Sequence, residues 1–239
     1  TVYYMGLGRP QPYATSTRGD SRTENEGTDT SPLTPVDSIQ DEFFYFDDLL
    51  AAKRITTSDV SFAIPRRNWT TGTTYDYYRH DYGNRVTGTT TTQSANSGAT
   101  NLVDATFYVI TSANNVYKCL ENDNNTASTV EPTGTSTSIL TTADNYKWKF
   151  MYTLSASQQA NFLSTDFMAV ATDSTVSSAA VDGAVNVCKI KSAGSGGADG
   201  THTGIAIRGD GSSGVVSVTV TSGAVTAVTV TSAGTGYTF

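Results

Sequence analysis

Tyr146-Lys147-Trp148-Lys149-Phe150-Met151-Tyr152-Thr153-Leu154 reads as a half-buried β-strand. Tyr146, Trp148, Phe150, Tyr152 and Leu154 alternate with Lys147, Lys149, Met151 and Thr153, the period of two that a pleated strand imposes. The rest of the 239-residue chain agrees with this reading. Charged residues are only 15% of it, against roughly a quarter in an average globular protein. Thr, Ser, Gly, Ala and Asn fill the gap. β-Branched threonine suits a pleated surface and loses rotamer freedom in a helix. Thirteen tyrosines and nine phenylalanines supply apolar burial that a disordered chain lacks. The predicted fold class is mainly β, sandwich-like, with a few helical insertions.

On the N-terminal side, Ala105–Thr111 reads as an apolar strand, and Asn114-Asn115 before Val116–Leu120 predicts a hairpin turn. Val60, Phe62 and Ile64 alternate until Pro65 ends the run or sets it at an edge. A helix is expected near 38–53, because Ile39, Phe43, Phe46 and Leu50 recur on one helical face. Asp37 or Ser38 would cap it, acids occupy its first turn, and Lys53 and Arg54 stand near its end. Residues 14–36, polar and with two prolines, read as a surface loop. After the opening strand, a short helix around Ser155–Leu163 is predicted, capped by Ser155 or Ser157.

Composition changes after about Asp173, which divides the chain into an assembly domain, 1–172, and a Gly/Thr/Val-rich module, 173–239. In the module, Ile190-Lys-Ser-Ala-Gly-Ser-Gly-Gly resembles Val230-Thr-Ser-Ala-Gly-Thr-Gly-Tyr, a period of 40 residues from Gly194 to Gly234. Between the copies, alternating valines predict a hairpin turning at Ser222-Gly223. Another strand is expected after Gly236-Tyr237, so the module reads as cut short at its C-terminal end.

The net charge of −7 disfavours nucleic acid, whose phosphates require a concentrated basic face. No apolar run reaches the length of a membrane span. Two cysteines form neither a disulfide framework nor a metal set. No catalytic set appears: the two histidines are His80, beside Asp81, and His202 in a Gly/Thr-rich loop. No cofactor is expected. Glu121-Asn122-Asp123-Asn124-Asn125 resembles a calcium loop but lacks its glycine and terminal acid, so a solvated turn is expected. Arg-Gly-Asp occurs at Arg18–Asp20 and at Arg208–Asp210, and both read as turns.

The strongest concentration of binding-type residues is Ile64-Pro65-Arg66-Arg67-Asn68-Trp69, followed by Tyr75-Asp76-Tyr77-Tyr78-Arg79-His80-Asp81-Tyr82. Arginine and aromatic residues bury much area and keep a directional polar tip. Arg66, Arg67, Trp69, Tyr77, Tyr78, Arg79 and His80 are therefore candidates for a protein interface or for an internal scaffold corner.

At these residues the chain resembles the baseplate wedge subunit of large contractile-tailed bacteriophages, the wedge component that pairs as a dimer. Gly8-Arg9-Pro10-Gln11-Pro12-Tyr13 is similar to that family's Gly-Arg-x-x-Pro-aromatic signature, with Gly8, Arg9 and Pro12 at its fixed positions. Thr34-Pro35-Val36-Asp37-Ser38 resembles the Pro-x-Asp-Ser start of its first helix. Ile64-Pro65-Arg66-Arg67-Asn68-Trp69 resembles Ile-Pro-Arg-Arg-Asp-Trp, and Val116-Tyr117-Lys118-Cys119-Leu120 resembles Val-Tyr-Arg-Cys-Leu. Ala143-Asp144-Asn145-Tyr146-Lys147-Trp148 resembles Gly-Asp-Gly-Tyr-x-Trp, with Ala143 and Asn145 in place of glycines. The likeness covers roughly residues 6–170. Beyond residue 185 the chain looks instead like small β-modules appended to many phage structural proteins.

The resemblance implies a structural protein with no reaction to catalyse, a homodimer within the wedge that contacts other wedge subunits. Its expected place is the virion tail baseplate, assembled in the host cytoplasm. Two alternatives remain at this point. One is a carbohydrate-binding or host-adhesion module stacking aromatics on sugar rings. The other is a tail-associated glycosidase using two carboxylates, for which Asp76 and Asp81 are available.

Overall fold

The computed structural model describes residues 2–8, 27–28, 31–32, 49–79, 82–83 and 94–238. Its contacts divide the chain into two units, Thr1–Phe62 and Ala63–Phe239. The first unit holds β1 (Tyr3–Gly8), β2 (Gly27–Thr28), β3 (Ser31–Pro32) and β4 (Leu49–Ile55). In the second, β5 (Ala63–Pro65), β6 (Tyr108–Ile110), β7 (Asn115–Glu121), β8 (Leu140–Thr141) and β9 (Lys147–Thr153) precede α1 (Ala156–Phe162). There follow β10 (Phe167–Ala169), α2 (Ser174–Ala179), β11 (Gly200–Ala206), β12 (Ser212–Thr221) and β13 (Ala224–Thr235). The fold is mainly β, built of several small antiparallel sheets with few, short helices.

In the first unit, β1 and β4 form an antiparallel ribbon running from Tyr3 opposite Ile55 to Gly8 opposite Leu49. This corrects the helix expected near 38–53 over its last turns, because Leu49–Ile55 is a strand. Helical spacing within a window is a weak prior, and a ladder to a strand more than forty residues earlier overrides it. Asp37 and residues 38–48 lie outside the described residues, as do Arg9 and Pro12. Past β4, Asp59 accepts hydrogen bonds from the Lys53 ammonium at 2.5 Å and from Thr56. Those bonds hold its carboxyl below the usual carboxylate range.

The second unit centres on a four-stranded antiparallel sheet in the order β6-β7-β9-β8. Its central strand β9 is the alternating stretch read from the sequence. The alternation is broken once. The register slips between Val116 and Tyr117, so Val116 faces Tyr152 while Tyr117 faces Phe150, leaving Met151 as the extra residue. The five residues predicted to share one face therefore serve two clusters. Tyr146, Trp148 and Phe150 pack with Tyr75, Val109, Tyr117 and Cys119. Tyr152 and Leu154 pack with Tyr108, Ile110, Val116, Met168 and Ala169. Trp148, fully buried, stacks on Tyr146 with ring centroids 5.4 Å apart and meets Tyr75 edge-on at 5.7 Å.

The turn into β9 explains the residues that precede it. Asn145 has φ 61°, in the left-handed region that asparagine tolerates and glycine favours. That is why Asn145 can stand where the resembling signature has glycine. Asp144 accepts from Ser128 Oγ at 3.0 Å, Thr129 N at 2.8 Å, Val130 N at 3.0 Å and the Thr142 hydroxyl. The predicted hairpin between β6 and β7 turns through Asn114, at φ 58°. Ser155 caps α1 and Gln158 returns the bond, a closed capping box. Of the run Val60-Phe62-Ile64, only Ile64 lies in a strand, within β5 paired to β10. Ala105–Thr111 is likewise shorter than read, with only Tyr108–Ile110 in a strand.

β11-β12-β13 form a separate antiparallel sheet, and β12 turns into β13 through Ser222 and Gly223 at φ 54° and 78°. Its only buried hydrophobic residues are Val216 and Val220. The repeat is closed by backbone bonds that exchange copies. Val185 N donates to Ala233 O, and Val225 N, one period later, donates to Ala193 O, one period earlier. In the same way Tyr237 N donates to Gly183 O and Gly197 N to Gly223 O. The repeat thus extends back to Gly183-Ala184-Val185, matched by Gly223-Ala224-Val225. Each copy's Gly-Ala-Val holds the other copy's Ser-Ala-Gly turn.

Candidate functional site

The Arg/aromatic segment after β5 spends most of its polar groups inside the chain. Arg66 Nε donates to Asn68 Oδ1 at 2.8 Å and Nη1 to Ser164 O at 2.9 Å. Arg67 Nη2 donates to Val103 O at 3.0 Å and to Asp104 O at 3.1 Å, while its guanidinium lies 5.4 Å above the Tyr108 ring. Trp69 Nε1 donates to Ser128 Oγ at 3.2 Å. Tyr77 carries the Lys189 ammonium 4.2 Å above its ring. Arg79 is half-buried, and His80 and Asp81 lie outside the described residues.

Asp76, fully buried, accepts from Ser97 N at 2.8 Å, Ser97 Oγ at 2.7 Å, Thr106 N at 2.7 Å and Thr106 Oγ1 at 3.0 Å. Burial pushes its carboxyl up, but these four bonds together outweigh that and hold it below its ordinary value. They pin the 94–106 loop beside Tyr75–Arg79. The carboxylate is thereby occupied as a loop anchor.

That loop forms one wall of an apolar groove of about 290 Å³, lined by Ile64, Pro65, Leu102, Val103, Phe107 and Tyr108. Arg67 props the wall from behind through the two carbonyl bonds. Tyr108 donates its hydroxyl hydrogen to Pro65 O at 2.8 Å, fixing the floor. Phe107 meets Tyr108 edge-on at 5.2 Å and Tyr78 at 5.3 Å. Val103 is 69% and Tyr78 38% exposed, so the rim is open and apolar. Next to it the half-buried Lys118 holds its ammonium 4.5 Å above the Tyr78 ring. Burial and the neighbouring Lys149 lower the pKa of Lys118.

The other sequence candidates sit elsewhere. Asn122, fully buried, donates to Tyr75 O at 2.8 Å and to Asn125 Oδ1 at 2.9 Å. Asp123, Asn124 and Asn125 all have positive φ, so the calcium-like loop is a tight left-handed turn. Among the described residues no three His, Cys, Asp or Glu side chains group as metal ligands. His202 lies on exposed β11, with Nε2 3.0 Å from Ala198 O. Asp210 of the second Arg-Gly-Asp accepts from the Thr238 backbone and hydroxyl. Cys119 and Cys188 are free thiols.

Of the signature positions, Gly8 ends β1, Pro65 ends β5, and Asp144, Tyr146 and Trp148 build the β8–β9 turn and the core behind it. The chain matches no protein-family model, no curated protein and no solved structure. Sequence reasoning brought Tyr78 and the two arginines to this corner but missed Leu102, Val103, Phe107 and Lys118. Lys118 carried a signal: it is the one cation inside the Val116–Leu120 strand. Among the described residues, no helix is long and apolar enough to cross a membrane.

Proposed function

We propose that this chain is a structural subunit of a phage tail baseplate wedge, holding neighbouring wedge proteins in register through the face around Tyr78. One observation carries the reading: an open apolar groove with an aromatic rim stands on a corner whose arginines and buried aspartate are already bonded inside the chain. Such a surface is prepared rigidly and is left free for a partner. The ordered signatures from Gly8 to Trp148 support the placement in a wedge, where the chain acts by geometry and pairs as a dimer. Within this reading Arg66, Arg67 and Trp69 set the shape of the corner, and Tyr78 with the groove makes the joint.

The test is co-sedimentation of the tagged full chain with tail particles, with the tag located by electron microscopy. The chain is expected at the baseplate, and its Val103→Asp variant is expected to stay folded while losing at least half of its incorporation. A wild-type chain that never enters tail particles would overturn the assignment.

A further inference from the structure

The groove and the lysine beside it point to one kind of occupant. Lys118 stands directly opposite Lys149 across β7 and β9, and directly opposite Tyr108 across β6 and β7. Like charges directly opposite in a sheet repel. No carboxylate among the described residues lies within ion-pairing distance of either lysine. Lys149 donates to Thr137 O, whereas among the described residues Lys118 has only the Tyr78 ring. An ammonium has three hydrogens to donate, and a half-buried one without an acceptor is a poor final state. Asp104, next in the chain to the groove-lining Val103, accepts from the Asn101 amide at 2.5 Å. Lys118, opposite the groove-lining Tyr108, is therefore a cation without a counter-charge among the described residues, in a chain that is acidic as a whole.

We propose that the groove receives an extended segment of a neighbouring assembly protein, which seats bulky apolar side chains between Val103 and Ile64 and sets a carboxylate against Lys118. The apolar walls supply burial, and the lysine supplies register, since a carboxylate misplaced by one residue would face the wrong side of the segment. The arriving carboxylate also relieves the Lys118–Lys149 repulsion, so the charge contact forms only in the complex. This names the partner chemistry of the assembly surface and rests on that reading.

The experiment places a benzophenone-bearing phenylalanine at Val103 of the full chain, illuminates intact tail particles and sequences the cross-linked peptide. The expected product is a segment of a different protein with an Asp or Glu within three residues of a bulky apolar side chain. Lys118→Gln should lower the cross-link yield about tenfold, the range of one charge-assisted contact, and Lys118→Arg should restore most of it. Thermal melting of both variants separates this from misfolding. Cross-links only to a second copy of the chain, or to a segment without acid, overturn the proposal. So does an undiminished yield in a folded Lys118→Gln. Normal particle incorporation with no cross-link overturns the groove assignment and leaves the assembly reading standing. A chain absent from particles removes both.

Discussion

The sheet around β9 and the sheet of β11-β12-β13 are both antiparallel, yet they are held by different means. The first buries Trp148, Tyr117, Tyr146, Val109 and Cys119 at 0–1% exposure and clamps its loops with the carboxylates of Asp76 and Asp144. The second buries two valines and relies on turns that grip each other through the backbone. Where side chains are large, packing decides the structure. Where they are small, glycine conformations and hydrogen-bond exchange must do so.

The contrast can be broken at either end. The largest effect is expected from Trp148→Ala, which empties the main core and should cost about 3–5 kcal/mol in urea denaturation. A loss below 1 kcal/mol would mean that the stacked rings are not the core. Next, Asp76→Asn leaves inward-facing donors unmatched and should cost about 2–3 kcal/mol. Its pH signature has a definite sign. Asp76 and Asp144 are held below the ordinary carboxyl value, so their stabilisation is complete above about pH 4. It fades as pH falls through their folded values. Denaturation midpoints between pH 7 and pH 2 should show this slope in the wild type and less of it in Asp76→Asn.

The smallest effect belongs to the module. Gly183 has φ 65°, and an added Cβ would stand 2.3 Å from Tyr237 N. Gly183→Ala should cost about 1–2 kcal/mol locally. Amide exchange should speed up at Val185, Gly236 and Tyr237 while the β7 and β9 amides stay protected. Equal acceleration in both sheets would show that the two are one cooperative unit.

Much of the main sheet was legible in the sequence, because aromatic residues alternating with lysine admit few other readings. The β6–β7 turn, the Ser155 cap and the Ser222-Gly223 hairpin were legible for the same local reason. Two features were not. The slip at Met151, which sends Tyr152 and Phe150 to different clusters, depends on the partner strand β7. The strand at Leu49–Ile55 depends on β1, and its own residues also fit the end of a helix. The groove escaped notice because its walls come from residues 64–65, 102–103 and 107–108, none of them unusual in its own neighbourhood. The repeat period was visible, but the exchange between copies was not, since equal spacing does not say which copy holds which.

The bonds from Gly236 N to Asp182 O and from Tyr237 N to Gly183 O set the chain's way into the module beside its way out. Tension applied between Ala180 and Thr238 would unzip those two bonds one after the other before reaching the strands behind them. The same adjacency leaves the two ends of the stretch Asp182–Tyr237 side by side.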